Sequence, residues 1–453
     1  MKKIYLSWII LGLFFTACTV DNDTVFDENA VVRVQKVIDN CAQELVKPEF
    51  GWRMLYVPNP ETHGGYNVLM KFLDSENVRV YTDFVEETTL STYSFNASQG
   101  PVLSFDTYSC LHYLADPKNK PQGKGLQGEF EFVIQSISAD SIVFLGKKYS
   151  NKLVFTPAEE TDWTELMEAS RKNIERMAPP KDAPFFRGLM MNQTAINLIY
   201  DPDTRSASYT YADDETKEIK TARTAVFGTK EGIAFQPKIK VNGVVLGALK
   251  YNEAKDLFES NTPGVIGSLK YSHKPPFQFY NSVRDMQSGS DLVGLAKIGK
   301  LEPSMAIMSE IVKMLSNMSF MCEELKNGYP LAVLAGLKQI RIVWQLNYNG
   351  TMVGPWLSFF GAENGFAEAN CSLDLGMEME VLRDDQLRFS LIPGRMMSNN
   401  DKFWSNMESQ ITYETFRRFF TDPAGFTIVP AGNNQYYFVN LADSKRWIVL
   451  TKE

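Results

Sequence analysis

Residues 51–82 read GWRMLYVPNPETHGGYNVLMKFLDSENVRVYT, and here the spacing of apolar side chains changes from the threes and fours of the preceding segment to strict alternation. Met54 and Tyr56, then Tyr66, Val68, Met70 and Phe72, then Val78, Val80 and Thr82 recur at every second position. Each run can therefore bury one face as a strand. Residues 74–77 supply the turn between two of them. Working outward, further strands are expected at 92–95, 102–105, 130–137, 141–146 and 153–155. Upstream, Ala30, Val34, Val37, Ile38, Cys41 and Leu45 share one stripe of a helix over 27–47, with Asp27 placed to cap it and Pro48 just beyond its end. An antiparallel meander with a helix leaning on it is the expected first unit.

A second helix is expected over 161–178, with Trp163, Leu166, Met167, Ile174 and Met177 on one face and Pro179 and Pro180 ending it. Strand patterns return at 196–200, 207–211, 225–227, 232–235, 239–241 and 244–251, the last two joined by Asn242-Gly243, a strong hairpin signal. Strands at 340–347 and 372–382, a helix at 402–420 and a hairpin over 426–450 complete the chain. A helical insertion at about 300–330 carries Ile307, Ile311, Met314, Leu315, Met318 and Cys322 on one side. The fold class is α+β: two lobes, each an antiparallel β-meander forming a partly open barrel or sheet with a packed helix. The divisions are a leader at 1–17, an acidic tether at 18–30, a first lobe at 27–158, a connecting helix at 159–180 and a second lobe at 181–453.

The lobes also resemble each other. Residues 70–74 match 197–201; Phe95, Gly100 and Phe105 match Phe227, Gly232 and Phe235; residues 140–144 match 385–389. Their common order suggests a tandem duplication.

The 453 residues are 44% hydrophobic and 22% charged, ordinary for a globular chain and too long for one core. Lys plus Arg is 46 against Asp plus Glu at 54, the wrong sign for wrapping nucleic acid, so no nucleic-acid partner is expected. Five cysteines are too few for a disulfide framework, and no pair has CxxC spacing.

The first 17 residues have the layout of an export leader: Lys2 and Lys3, an apolar run over 4–15, then Thr16 and Ala17. The run is too short to span a bilayer. Phe15-Thr16-Ala17-Cys18 resembles the lipobox of bacterial lipoproteins, with Phe15 in place of the usual Leu, and that resemblance makes Cys18 the acylated first residue of the mature chain. A plain secreted protein is the alternative. Asp21, Asp23, Asp27 and Glu28 follow closely, resembling the signal that sends Bacteroidetes lipoproteins to the outer face of the outer membrane, and equally forming a solvated tether. Removal of the leader leaves 44 basic against 54 acidic residues.

His63, His112 and His273 are scattered, and none belongs to a metal-spaced cluster, so neither metal nor other cofactor is expected. No nucleophile elbow, P-loop or dinucleotide fingerprint follows a strand pattern. No catalytic residue is assigned. Two carboxylates that converge only in the fold would leave no spacing to read, so a glycan or peptide hydrolase stays open. Asp201-Pro202-Asp203-Thr204 lacks the later ligands of a calcium loop and reads as a turn. Trp52, Trp163, Trp344, Trp356, Trp404 and Trp447 read as core residues, with sugar stacking as the alternative; Tyr348, Asn349, Gly350 and Trp356 are the least core-like set.

Gly51-Trp52-Arg53-Met54, residues 64–68, residues 100–108 with His112-Tyr113, residues 128–134 and Lys147-Lys148 together resemble a Bacteroidetes lipoprotein family, domain of unknown function 4302. The likeness is dense over 18–160. It implies a chain encoded beside SusC/SusD-like uptake pairs, acting as a surface accessory of a nutrient transporter. The same lineage implies O-glycosylation at Asp-Ser/Thr-apolar sites, of which Thr24 in the tether is the better candidate and Ser141 reads as a turn. The expected function is a non-catalytic, lipid-anchored, outward-facing accessory that binds a glycan or peptide ligand. A structural partner docked on the transporter is a further alternative.

Overall fold

The computed structural model describes residues 28–452 apart from 60–62, 98–99, 119–124, 181–182, 261, 263–264, 289–290, 296–301, 304–336, 362–370, 400–406 and 433. Cys18, Thr24, Asp27, Trp404, and Cys322 with the rest of the expected helical insertion beyond 303 lie outside the described residues. Helix α1 spans Ala30–Leu45, starting later than the periodicity predicts. Its cap is Asn29, whose side-chain oxygen accepts from the Val31 amide at 3.1 Å. Asn serves as well as Asp at this position.

Eight strands then close into an antiparallel barrel: β1 (Trp52–Tyr56), β2 (Tyr66–Phe72), β3 (Asn77–Thr82), β4 (Thr89–Asn96), β5 (Val102–Phe105), β6 (Glu131–Ile137), β7 (Ile142–Gly146) and β8 (Lys152–Pro157). The short helix α2 (Cys110–Ala115) lies between β5 and β6. Met54 pairs with Val68 and Met70 with Val80, so the alternating side chains of residues 51–82 form one inward face. They pack with Phe105, Phe132, Phe144 and Phe155, and Cys41 and Leu45 of α1 join the same core. The Trp52 indole donates to the Leu45 carbonyl at 2.8 Å and ties the helix end to the barrel. Each such side chain contributes about 1.5–3 kcal/mol when fully buried, against roughly 0–1 kcal/mol for an exposed ion pair, so the barrel interior holds the unit together.

A 3-10 turn (Glu160–Trp163) and helix α3 (Glu165–Met177) lead to a second closed barrel. Its strands are β9 (Phe186–Met191), β10 (Thr194–Asp201), β11 (Ser206–Ala212), β12 (Ile219–Gly228), β13 (Gly232–Val241), β14 (Val244–Asn252), β15 (Leu257–Glu259) and β16 (Val265–Ser272). Ile174 and Met177 of α3 complete a core of Leu189, Ile196, Leu198, Val226, Ile233, Phe235 and Leu269. Strands β9, β15 and β16 have no counterpart in the sequence reading. In Phe-Arg-Gly-Leu-Met-Met of β9 the inward row includes an arginine and no residue is β-branched, which hides the alternation.

The first two internal resemblances occupy equivalent places. Residues 70–74 and 197–201 end β2 and β10, the second strand of each barrel, and the Phe-Gly-Phe sets lie on β4–β5 and β12–β13. The third does not: Asp140 sits in the β6–β7 turn of the first barrel, whereas Asp385 lies beyond the second barrel. There its buried carboxylate accepts from the Phe279 amide at 3.1 Å, 106 residues away, and from Arg383.

Among the described residues, nine strands between 292 and 452 form a third antiparallel sheet rather than extending the second meander. Its first strand, Leu292–Leu295, pairs with both Leu337–Val343 and Trp447–Lys452, which closes the sheet on itself. Two helices, α4 (Ser282–Gln287) and α5 (Met407–Phe420), fill its core through Val283, Met286, Phe416, Phe419 and Phe420. The α+β class and the meander-plus-helix units therefore hold, with the expected second lobe made of a barrel and this sheet.

The two barrels meet across a polar seam. Asp83, fully buried, accepts from Arg205 Nη1 at 2.6 Å, from Ser170 Oγ of α3 at 2.6 Å and from Asn67 Nδ2 at 3.1 Å. Asn67 Nδ2 also donates to the Gly228 carbonyl at 2.9 Å, and the Arg205 guanidinium lies 4.7 Å above the Tyr66 ring. Backbone bonds from Gly64 N to Thr204 O (2.6 Å) and from Gly65 N to Val226 O (3.2 Å) stitch the barrel ends directly. A Cβ on Gly64 would stand 1.9 Å from the Arg205 carbonyl oxygen, so only glycine fits there.

Cys41 and Cys110 are free and buried, and burial pushes both thiols up to about 12. At pH 8 they stay protonated and shielded. Iodoacetamide labelling of the native chain at pH 8, read by peptide mass spectrometry, should leave both unmodified, and the same reagent in 6 M guanidinium should modify both. Labelling in the native state would contradict the packing of α1 and α2.

Candidate functional site

The linker after α3 crosses the end of the second barrel where β9 begins and β10 and β16 finish. Alternation along β9 puts Arg187 on the same side as the core residues Leu189 and Met191, and its strand partner on β16 is Tyr271. The barrel mouth is thus lined by Arg187, Leu198, Tyr200 and Tyr271. Pro179, Pro180, Pro184 and Phe185 of the linker flank it, and Tyr437, Lys445 and Trp447 of the third sheet complete a cavity of about 270 Å³. A barrel mouth covered by neighbouring segments is a common place for a small-molecule site.

The outer wall is aromatic. Phe185 stands 5.0 Å from Tyr437 and 5.6 Å from Trp447, and these two meet edge to face at 5.3 Å. Behind them Phe186, Phe279, Val429 and Val439 form the apolar seam between the second barrel and the third sheet. The inner wall is polar. Arg187 is only 6% exposed; its Nη1 donates to the Met177 carbonyl at 2.8 Å and its guanidinium lies 4.7 Å over the Tyr271 ring. Arg187 Nε, Tyr200 Oη and Tyr271 Oη are buried without a hydrogen-bond partner. Burial pulls the arginine pKa down from its ordinary value and pushes both phenols up.

One lining residue carries a carboxylate, Asp201, and the turn it starts takes up that group. Oδ1 accepts from the Asp203 amide at 2.9 Å and Oδ2 from Thr204 Oγ1 at 2.6 Å. This is the Asx turn that the Asp-Pro-Asp-Thr sequence predicts. Proton shuttling between two carboxylates, as glycoside hydrolysis requires, has no pair to use in this cavity.

The three histidines are separate. His63 Nε2 lies 3.1 Å from the Gly125 carbonyl, His112 stacks on Phe130 at 4.4 Å, and His273 Nδ1 meets Ser444 Oγ at 3.1 Å. Among the described residues no three His, Cys, Asp or Glu side chains gather into a metal-holding group. Trp52 and Trp356 are fully buried, Trp356 donating to the Val353 carbonyl at 2.7 Å. Tyr348, Asn349 and Gly350 form a tight hairpin turn with positive φ at Asn349 and Gly350. Of the tryptophans read as core, Trp447 is the one that walls the cavity. Sequence reasoning missed Arg187, Tyr200, Tyr271 and Phe185 as a set. The available signal was a lone arginine on the inward side of a strand, just after a proline-rich linker.

No curated protein matches the chain. Among solved structures, it is similar to the Helicobacter pylori β clamp bound to a DNA ligase peptide, at 11% identity and a TM-score of 0.16 over 92% of this chain and 98% of that one. The Bartonella birtlesii sliding clamp (DNA polymerase III subunit beta) bound to griselimycin gives 8% and 0.16 over 93% and 97%. DNA polymerase III subunit beta of Borrelia burgdorferi in complex with a natural product gives 9% and 0.14 over 93% and 97%. Likeness at these scores decides neither fold nor function. The model of a domain of unknown function (DUF4302) matches residues 22–253, just over half of the 453, and the chain belongs to that family.

Proposed function

We propose that this protein is a lipid-anchored, outward-facing binding accessory of a SusC/SusD-like nutrient-uptake system in the outer membrane, without catalysis of its own. The observation that carries the binding half is the cavity at the mouth of the second barrel, which is lined by Phe185, Tyr437 and Trp447 with Arg187 and Lys445, and whose lone carboxylate is engaged in a turn. Its size suits one sugar ring or one amino-acid residue better than a polymer. The anchoring half is supported by the lipobox-like Phe15-Thr16-Ala17-Cys18 and the acidic residues after it. Acylation at Cys18 with more than one chain would hold the protein firmly, where a single chain binds reversibly. The acidic tether with Thr24 as its glycosylation site would let the folded units stand clear of the bilayer.

Two outcomes follow. Cys18→Ala should move the protein from the membrane to the soluble fraction and abolish labelling by radioactive palmitate, and a variant still membrane-bound and labelled would refute the anchor. Affinity capture of the tagged wild-type chain from its host should recover a TonB-dependent barrel or its SusD-like partner. Recovery of neither after cross-linking would refute the uptake role.

A further inference from the structure

Around the short helix α2 the first barrel turns aromatic rings outward. Among the described residues, the large apolar side chains that stand exposed between 106 and 131 are all aromatic: Tyr108 at 61%, Tyr113 at 41% and Phe130 at 36%. One exposed ring needs no explanation, but these are ordered among themselves. Tyr108 lies 5.7 Å from the His112 ring at an angle of 29°, and His112 lies 4.4 Å from Phe130 at 17°, so three near-parallel rings form one stack. Among the described residues neither Tyr108 nor Phe130 meets a ring besides His112, and each leaves ring surface in solvent.

The stack is fixed by the backbone. The Ser109 amide donates to His112 Nδ1 at 3.2 Å, and because a backbone N–H can only donate, the imidazole is neutral with its proton on Nε2. The Phe105 amide donates to the Phe130 carbonyl at 3.0 Å and holds the other end against β5. The rim is polar. Asp106 and Thr107 are exposed just before Tyr108 in the chain, Thr107 Oγ1 lies 2.6 Å from Thr92 Oγ1, and Glu131, next to Phe130, pairs with Lys147 at 2.9 Å. Flat apolar surface edged by hydroxyls and carboxylates fits a ligand with a C–H face and a rim of hydroxyls, which is a pyranose. Nucleic-acid bases also stack on such rings, but 54 acidic against 46 basic residues repel their phosphates. A protein-docking patch draws on aliphatic side chains as well as rings, and between 106 and 131 no large aliphatic side chain is exposed among the described residues.

From these observations we infer that the first barrel carries a surface platform for a neutral polysaccharide, whose sugar rings stack on Tyr108 and Phe130 and whose hydroxyls meet Asp106 and Thr107. The platform is open at its sides, so it takes a stretch of polymer. It goes beyond the cavity of the second barrel, which suits a single unit, and does not depend on it.

Affinity electrophoresis tests the platform, with the purified full-length chain run in native gels containing amylopectin, laminarin, galactomannan, xylan or pectic galactan. At least one polymer should retard the wild type. Tyr108→Leu and Phe130→Leu keep apolar bulk but lose the ring, and each should weaken that binding by roughly five-fold or more. Asp106→Ala removes only an exposed carboxylate and should weaken it several-fold, so the rim is tested even where a leucine variant melts early. Tyr108→Phe should bind as the wild type does, and so should Lys445→Ala in the cavity. Retardation by none of the five polymers overturns the platform, as does capture of a protein at this surface without any polysaccharide binding. Retardation that survives both leucine changes and Asp106→Ala also overturns it; if Lys445→Ala then abolishes that retardation, the polymer is held at the cavity and the binding reading there stands.

Discussion

Asp83 and Arg205 form the contact on which the arrangement of the two barrels depends. A buried carboxylate or guanidinium alone would cost several kcal/mol, and here each is the other's compensation, with Ser170 and Asn67 taking further positions on the carboxylate. Because the four residues come from the first barrel, α3 and the second barrel, the network can be satisfied in one relative placement. An apolar seam would tolerate sliding; this one does not. Gly64 enforces the same placement sterically, since its backbone approaches the Arg205 carbonyl more closely than any side chain allows.

The second seam follows a different principle. Between the second barrel and the third sheet the contacts are Phe186, Phe279, Val429 and Val439, with Phe185, Tyr437 and Trp447 at the rim. Aromatic packing of this kind is non-directional at its centre but leaves flat faces where it opens. The cavity lies at that opening. Its inner end belongs to the barrel, where Arg187 takes a place that a Leu would fill if packing alone were selected. Tyr200 lines the cavity from β10, and its register partner on β11, Ala207, lies two residues beyond Arg205 of the polar junction.

Much of the fold was legible in residues 51–82, since a period of two across three runs specifies which face is buried, and Met54, Val68, Met70 and Val80 do lie together inside. Helix α1 was legible for the same reason, although its cap was placed early because Asp27 and Asn29 are equally good initiators. The closing strands β15 and β16 escaped because the former is three residues long and the latter, Val-Ile-Gly-Ser-Leu-Lys-Tyr-Ser, lacks a clean alternation. The separateness of the third sheet escaped because closure is set by pairing between Leu292–Leu295 and Trp447–Lys452, some 160 positions apart, and no local pattern encodes it. The cavity was least legible: Phe185, Arg187, Tyr200, Tyr271 and Trp447 come from five separate stretches, and each alone reads as ordinary core or turn. Asp83 and Arg205 were invisible for the same reason, being single charged residues just beyond strand β3 and before strand β11.

A double-mutant cycle at the polar junction tests the account most directly, using urea unfolding of the full chain with Asp83→Ala, Arg205→Ala and both together. The account predicts that each single change costs about 3–5 kcal/mol, that the double costs little more than either single, and that their coupling is therefore about 3 kcal/mol or more, at or above the top of the roughly 0.5–3 kcal/mol range of contacting residues. Single changes below about 1 kcal/mol that simply add would contradict it, because the barrels would then be held in place by something other than this pair.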